Sequence, residues 1–217
     1  MGAVIERFNR KLGDLANSGA LQAFYLGGDE GLVMAPAEAL FDITTRIHEC
    51  WTASVDAEAP SLEPAPSLSM GVAVFDFDRP LGRAIHAAHA ALAEAKTVAD
   101  AEGEKNALAI GVETGSGSHW FTVAHWGSAW TRMHAAVTAI QEGWLASGWP
   151  YDLQTLIRQV ADLPLGADDT RNAIVAQMRR LTFRSLDTAV SFPLSPSAVW
   201  ADHLNGDHWL DGLHTVE

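Results

Sequence analysis

The chain has 217 residues, 48% of them hydrophobic, with a mean hydropathy of +0.03, a balance that suits one sizeable core or two small ones. A formal net charge of −13 argues against this chain as the main surface that neutralises a nucleic-acid backbone, so a basic groove is expected from a partner. Cys50 is the sole cysteine and excludes an intramolecular disulfide, and the N-terminus MGAVIERFNRKLGDL has no apolar signal core. No uninterrupted apolar run approaches the ~18 residues of a membrane span, so a cytoplasmic location with no membrane contact is expected.

In chain order, Val4, Ile5, Phe8, Leu12 and Leu15 recur at helical spacing with Arg7, Arg10 and Lys11 between them, which predicts an amphipathic helix over 3–17. LQAFYL (21–26) and LVMA (32–35) read as short strands joined by a Gly27-Gly28 turn of type I′, and Pro36 opens a helix through Phe41, Ile43, Ile47 and Trp51. The proline-bearing stretch 56–67 reads as a loop and LSMGVAVFDF (68–77) as a strand. An alanine-dense helix follows from Pro80 to about Ala101, with Leu81, Ile85, Leu92 and Val98 marking one side, and KNALAIGVET (105–114) returns as a strand.

GSGS at 115–118 looks like a boundary, because seven of the eight tryptophans lie beyond it. Trp126, Trp130, Met133, Val137, Ile140 and Trp144 fit a helix with one buried stripe, and further helices fit 151–161 and 169–185. The second half is therefore expected to be helical.

The chemistry centres on GGDE, residues 27–30. A Gly-Gly turn is ordinary hairpin geometry, yet the absence of side chains at Gly27 and Gly28 also lets phosphates approach the backbone, beside carboxylates that hold Mg²⁺ through oxygen. Two-metal nucleotidyl transfer needs carboxylates converging on cations ~3.5–4 Å apart. Asp29 and Glu30 are adjacent, and adjacent strand side chains point to opposite faces, so a bent turn and a further carboxylate are required.

YLGGDEGLVMAP, followed by LSMGVAVFDFDRPLGRAIHAAHAALAEAKTVADAEGEKNALAIGVETGSGSHW, resembles the second palm, or cyclase-like, domain of the large subunit of type III CRISPR effector complexes in its Cmr-type form. The order of features carries the resemblance: a GGDD-like hairpin, Ser69-Met70-Gly71 on a strand, a Pro80-Leu81 helix start, Ala95-Lys96 within that helix, and Lys105-Asn106-Ala107 entering a strand. SGWPYDLQTLI looks like the helical domain that follows the palm.

The resemblance implies an α+β fold: a ferredoxin-like palm over 1–116, lacking its first strand, and a helical Trp-rich domain over 117–217. It implies condensation of ATP into cyclic oligoadenylate in antiviral defence, with Mg²⁺ or Mn²⁺ held by Asp29 and Glu30. Gly27 and Gly28 would line the triphosphate, and Ser69, Lys96 and Asn106 would contact the nucleotide, Lys96 as a cation opposite phosphate. The implied partners are other effector subunits, through which guide and target RNA are mainly contacted.

The chain departs from that family in two respects. Glu30 stands where the fourth hairpin residue is usually Asp, and Gly31 stands where diguanylate cyclases follow the acids with Phe. A palm running βαββαβ carries another metal-binding Asp on its central first strand, whereas this chain begins at or just before the first helix. A second polypeptide bearing that strand, the first palm and the HD domain, a substitute segment, or a degenerate remnant would each account for this. Three functions are thus open: a nucleotidyl cyclase needing completion, a non-catalytic scaffold, and a diguanylate cyclase-like module disfavoured by Gly31.

Other candidates have plainer readings. Asp76 and Asp78 suit the capping of a Pro-initiated helix, and His86, His89, His203 and His208 match no zinc spacing. The tryptophans lack interleaved basic residues, so packing is expected of them rather than base stacking. Arg171, Arg179, Arg180 and Arg184 read as a modest basic cluster, ordinarily solvated.

Overall fold

Helix α1 (Gly2–Asn17) buries Val4, Leu12 and Leu15, the apolar stripe that its sequence predicts. It belongs to a computed structural model that describes residues 1–97, 105–113, 119–160 and 168–185, and that divides into two compact units at Trp130/Thr131. In the first unit, strands β1 (Gln22–Gly27) and β2 (Glu30–Met34) form an antiparallel hairpin. Pro36 then leads through a 3₁₀ turn (Ala37–Ala39) into α2 (Leu40–Glu58), which runs further into the proline stretch than its composition predicts.

One core joins these elements. Leu12, Leu15, Leu21, Ile43 and Ile47 are buried together, with Ala23, Leu26 and Val33 of the hairpin and Leu68 and Met70 packed against them. Phe8 meets Trp51 edge-on at 5.2 Å, and the Trp51 indole N–H donates to the Pro66 carbonyl at 2.9 Å, which ties the loop after α2 back onto the helix pair.

The second sheet is built from β3 (Met70–Val74), β4 (Ala107–Glu113) and β5 (His119–His125), with β3 parallel and β5 antiparallel to β4. Helix α3 (Leu81–Thr97) makes the crossover that a parallel pair requires. Its most buried residues are Ala84, Ala91 and Ala95, with Ile85 and Leu92 of the predicted side half-buried beside them and Leu81 45% exposed, so alanines rather than leucines make the closest contact. Close approach explains the difference. A Cβ on Gly71 would sit 2.2 Å from the Leu92 backbone N and 2.3 Å from the Ala88 carbonyl O, and a helix so near the strand can bury only small side chains. Ala91, Ala95, Ala107 and Ala109 accordingly form one cluster, and Arg83 of α3 closes the far end on Glu113 at 2.6 Å. Among the described residues no backbone pairing joins the hairpin to this sheet, and β3 is an edge strand.

Strand β5 corrects the expected division near residue 116. GSGS (115–118) lies outside the described residues, but 119–125 continues the first unit's sheet rather than opening a helical domain. The predicted tryptophan stripe also divides: Trp126 precedes α4 (Ser128–Gln141) and Trp144 follows it. Trp130 stacks on Phe41 at 5.0 Å and donates its indole N–H to Thr45 Oγ1 at 3.0 Å, a packing role within the first unit.

In the second unit the described elements are all helical: the remainder of α4, then α5 (Trp149–Val160) and α6 (Asp168–Ser185). Leu156, Ile174 and Met178 form one core cluster there, and Ala139, Leu145 and Trp149 another. The Trp149 indole N–H donates to Thr182 Oγ1 at 3.1 Å, satisfying a buried polar pair. Trp200, Trp209, His203 and His208 lie outside the described residues.

Candidate functional site

The hairpin turn consists of Gly28 and Asp29, because Gly27 still belongs to β1, paired with Glu30. Gly28 has φ +60° and Asp29 does not have positive φ, a type II′ pattern in place of the expected I′. The reason is steric: an L side chain resists the second left-handed position that I′ demands. The two glycines therefore differ. Around Gly28 nothing lies within 4 Å of where a Cβ would stand, whereas at Gly27 the Tyr25 ring covers that position, its hydroxyl O at 3.0 Å. Gly28 is the open backbone, and Asp29 and Glu30 beside it are exposed. Asn9 of α1 steadies the turn by donating from Nδ2 to the Gly28 carbonyl at 3.4 Å.

A chain of contacts relates this turn to the other predicted residues. Next to Asn9 on α1, Phe8 packs on Trp51 and Arg7 pairs with Glu58 at 3.2 Å, so the turn lies at the end of the helix pair where α2 finishes. From there Pro66 and Leu68 lead to Ser69, which donates from Oγ to the Lys105 carbonyl at 3.1 Å at the entrance to β3 and β4. Asn106 follows Lys105, and Lys96 is exposed in the last turn of α3. Ser69, Lys96 and Asn106 thus share the end of the second sheet at which β3 and β4 begin, whereas Gly27, Gly28, Asp29 and Glu30 form the hairpin tip held on α1. Asp76 and Asp78 follow the C-terminus of β3, the opposite end from Ser69.

Ser69 and Asn106 also have structural duties. The Asn106 side chain hydrogen-bonds His48, which stacks on Trp126 at 4.2 Å, while the Asn106 carbonyl accepts from the Trp126 backbone N–H at 3.2 Å. The Trp126 indole N–H in turn donates to the Leu68 carbonyl at 2.9 Å. Burial holds the His48 pKa below its ordinary value, against the opposing pull of Glu49 and the Asn106 bond, and burial pushes the Cys50 thiol up. The raised pKa keeps the Cys50 thiol in its less nucleophilic protonated form. Sequence reasoning missed Tyr25 and Asn9: Tyr25 was legible as an aromatic two residues before the glycines, but no spacing signals the reach of Asn9.

Among the described residues, no three His, Cys, Asp or Glu side chains gather to hold a metal. Two adjacent exposed carboxylates fit a hard cation that keeps its waters and arrives with substrate phosphates, which is how Mg²⁺ usually binds, better than they fit an all-protein cage. Also among the described residues, no helix is long and apolar enough to cross a membrane.

A glycine-tipped antiparallel hairpin bearing acids, packed on two helices and set beside a mixed sheet with its own crossover helix, is the build of a palm domain. Residues 3–109 match the family model "Cas10/Cmr2, second palm domain". Through them the chain belongs to the Cas10/Cmr2 family, the large subunits of type III CRISPR effector complexes, and its place is in such a multi-subunit assembly. No curated protein matches the sequence.

Proposed function

We propose that the first unit is an ATP-binding palm that, once completed by a further strand, condenses ATP into cyclic oligoadenylate within the effector complex. The observation that carries this reading is the open Gly28 backbone beside exposed Asp29 and Glu30. In such a condensation a ribose hydroxyl attacks an α-phosphorus and pyrophosphate leaves, so the site's task is to hold triphosphate and Mg²⁺ or Mn²⁺ in line. Asp29 and Glu30 would hold the metal, whose chemistry is to offset charge on the phosphates. Gly28 gives phosphate its approach, and Lys96 adds a cation.

Support for a completing strand comes from the sheets. The hairpin and the entrance to β3 pack on one core, yet among the described residues the two sheets are not hydrogen-bonded to each other and β3 is an edge strand. An edge strand is a ready template for pairing with a further strand. The proposed donor is a region carrying the first palm and HD domain, and RNA contacts pass mainly through neighbouring subunits.

Calorimetric titration of the chain with ATP and Mn²⁺ tests the reading: binding is expected, and Asp29→Ala is expected to abolish it. A second reading, a palm retained as a scaffold, is favoured by Ser69 and Asn106, which already bond within the fold. Absence of nucleotide binding even with a complementing N-terminal fragment would establish that reading instead.

A further inference from the structure

The two faces of the hairpin are unlike. Ala23 pairs with Val33 and Leu26 with Gly31, and Ala23, Leu26 and Val33 pack on the core. The opposite face holds the pairs Gln22–Met34, Tyr25–Leu32 and Gly27–Glu30, with Tyr25 56% and Met34 40% exposed. A register shift falls between Ala23 and Tyr25, at Phe24, and from Tyr25 to the turn the pairing is regular. Regular alternation from Tyr25 onward puts Tyr25 and Gly27 on the face of Glu30 and Leu26 on the core face, and the irregularity before it lets Ala23 reach the core as well. The tyrosine ring then lies along the strand over Gly27, with Cζ and Cε2 at 3.2 and 3.3 Å from the position a Cβ would take.

The geometry points to Tyr25 as the platform on which the nucleobase stacks, with the phosphates directed along the strand toward Gly28 and Asp29. This role rests on the nucleotide reading above and adds to it the residue that recognises a base. Strand rise places Gly28 about 10 Å from Tyr25, comparable to the separation between the base and the outer phosphates of an extended nucleoside triphosphate. An exposed aromatic face binds any base, and its contribution does not depend on the metal. The alternative role is purely structural: an aromatic ring covering the vacancy over a strand glycine. The two roles differ in what they do to ligands.

The test titrates the full chain with ATP and, separately, with inorganic tripolyphosphate, both with Mn²⁺, for wild type, Tyr25→Phe, Tyr25→Leu and Tyr25→Ala. Stacking predicts that Tyr25→Leu and Tyr25→Ala weaken ATP about tenfold, that Tyr25→Phe stays near wild type, and that tripolyphosphate affinity is the same in all four. Thermal melts establish that each variant is folded, and Tyr25→Leu, which still covers Gly27, carries the comparison if Tyr25→Ala unfolds. Unchanged ATP affinity in Tyr25→Leu overturns the role, and so does an equal loss of both ligands. Wild type that binds tripolyphosphate no more weakly than ATP overturns base recognition alone, whereas wild type that binds neither, even with the complementing N-terminal fragment, overturns the nucleotide reading and this role with it.

Discussion

Gly28 and Gly71 both sit in short motifs that point to the same family, yet they do opposite things. Gly71 is closed in: a single added carbon would strike the backbone of α3, which cannot move aside as a side chain can. Gly28 has empty space around it and is constrained by its φ of +60° alone. The contrast separates two reasons for a conserved-looking glycine. One glycine lets chain pack on chain, and the other leaves backbone accessible to something outside the fold. Ser69-Met70-Gly71 is therefore explained largely by packing, whereas the hairpin turn is not.

Gly71→Ala should break the comparison most severely. Forcing a methyl into the α3 backbone should cost about 3 kcal/mol, enough to lower the urea midpoint of the first unit sharply. Gly28→Ala should cost ~1 kcal/mol, since only the left-handed backbone resists it, and its melting transition should stay cooperative. If the two substitutions cost the same, the distinction drawn from their surroundings is wrong.

A smaller effect is expected at His48. Its folded pKa is lowered, so the unfolded chain takes up the proton first; the stability it contributes is complete above the unfolded value of about 6.5 and is lost as pH falls through the folded value. Melting temperatures should drop between pH 7.5 and 5.5, and His48→Phe should flatten that slope. Smallest of all, Asp29→Ala should shift stability by less than about 0.5 kcal/mol while removing ATP binding, because its side chain is exposed. A large loss of stability there would mark the turn as structural.

Much of the first unit was legible because its signals were local. The spacing of Val4, Leu12 and Leu15 gave α1, and Gly-rich punctuation between apolar runs gave the hairpin. What escaped depended on partners distant in sequence. HWFTVAH carries the aromatic and β-branched residues of a strand, but the tryptophan spacing that continues past it masked β5. The tightest contact of α3 lies at alanines that hydrophobicity alone does not single out, because Gly71 on the preceding strand brings the helix too close for larger side chains there. For the site, the acids and glycines were evident from their identities. The covering of Gly27, the register shift at Phe24 and the support from Asn9 depend on where the strands and α1 meet, which no pattern of residue types records.

The unpaired edge of β3 has a consequence for handling the protein. Its sequence, MGVAV, carries no lysine, no proline and no charge of the kind that natural sheets place on edges to repel other chains. Expressed without its neighbours, the chain presents a short adhesive border, and its solubility should fall steeply as concentration rises. Val72→Lys on that edge should restore it, which makes the soluble yield of the isolated chain a simple gauge of how much this strand depends on company.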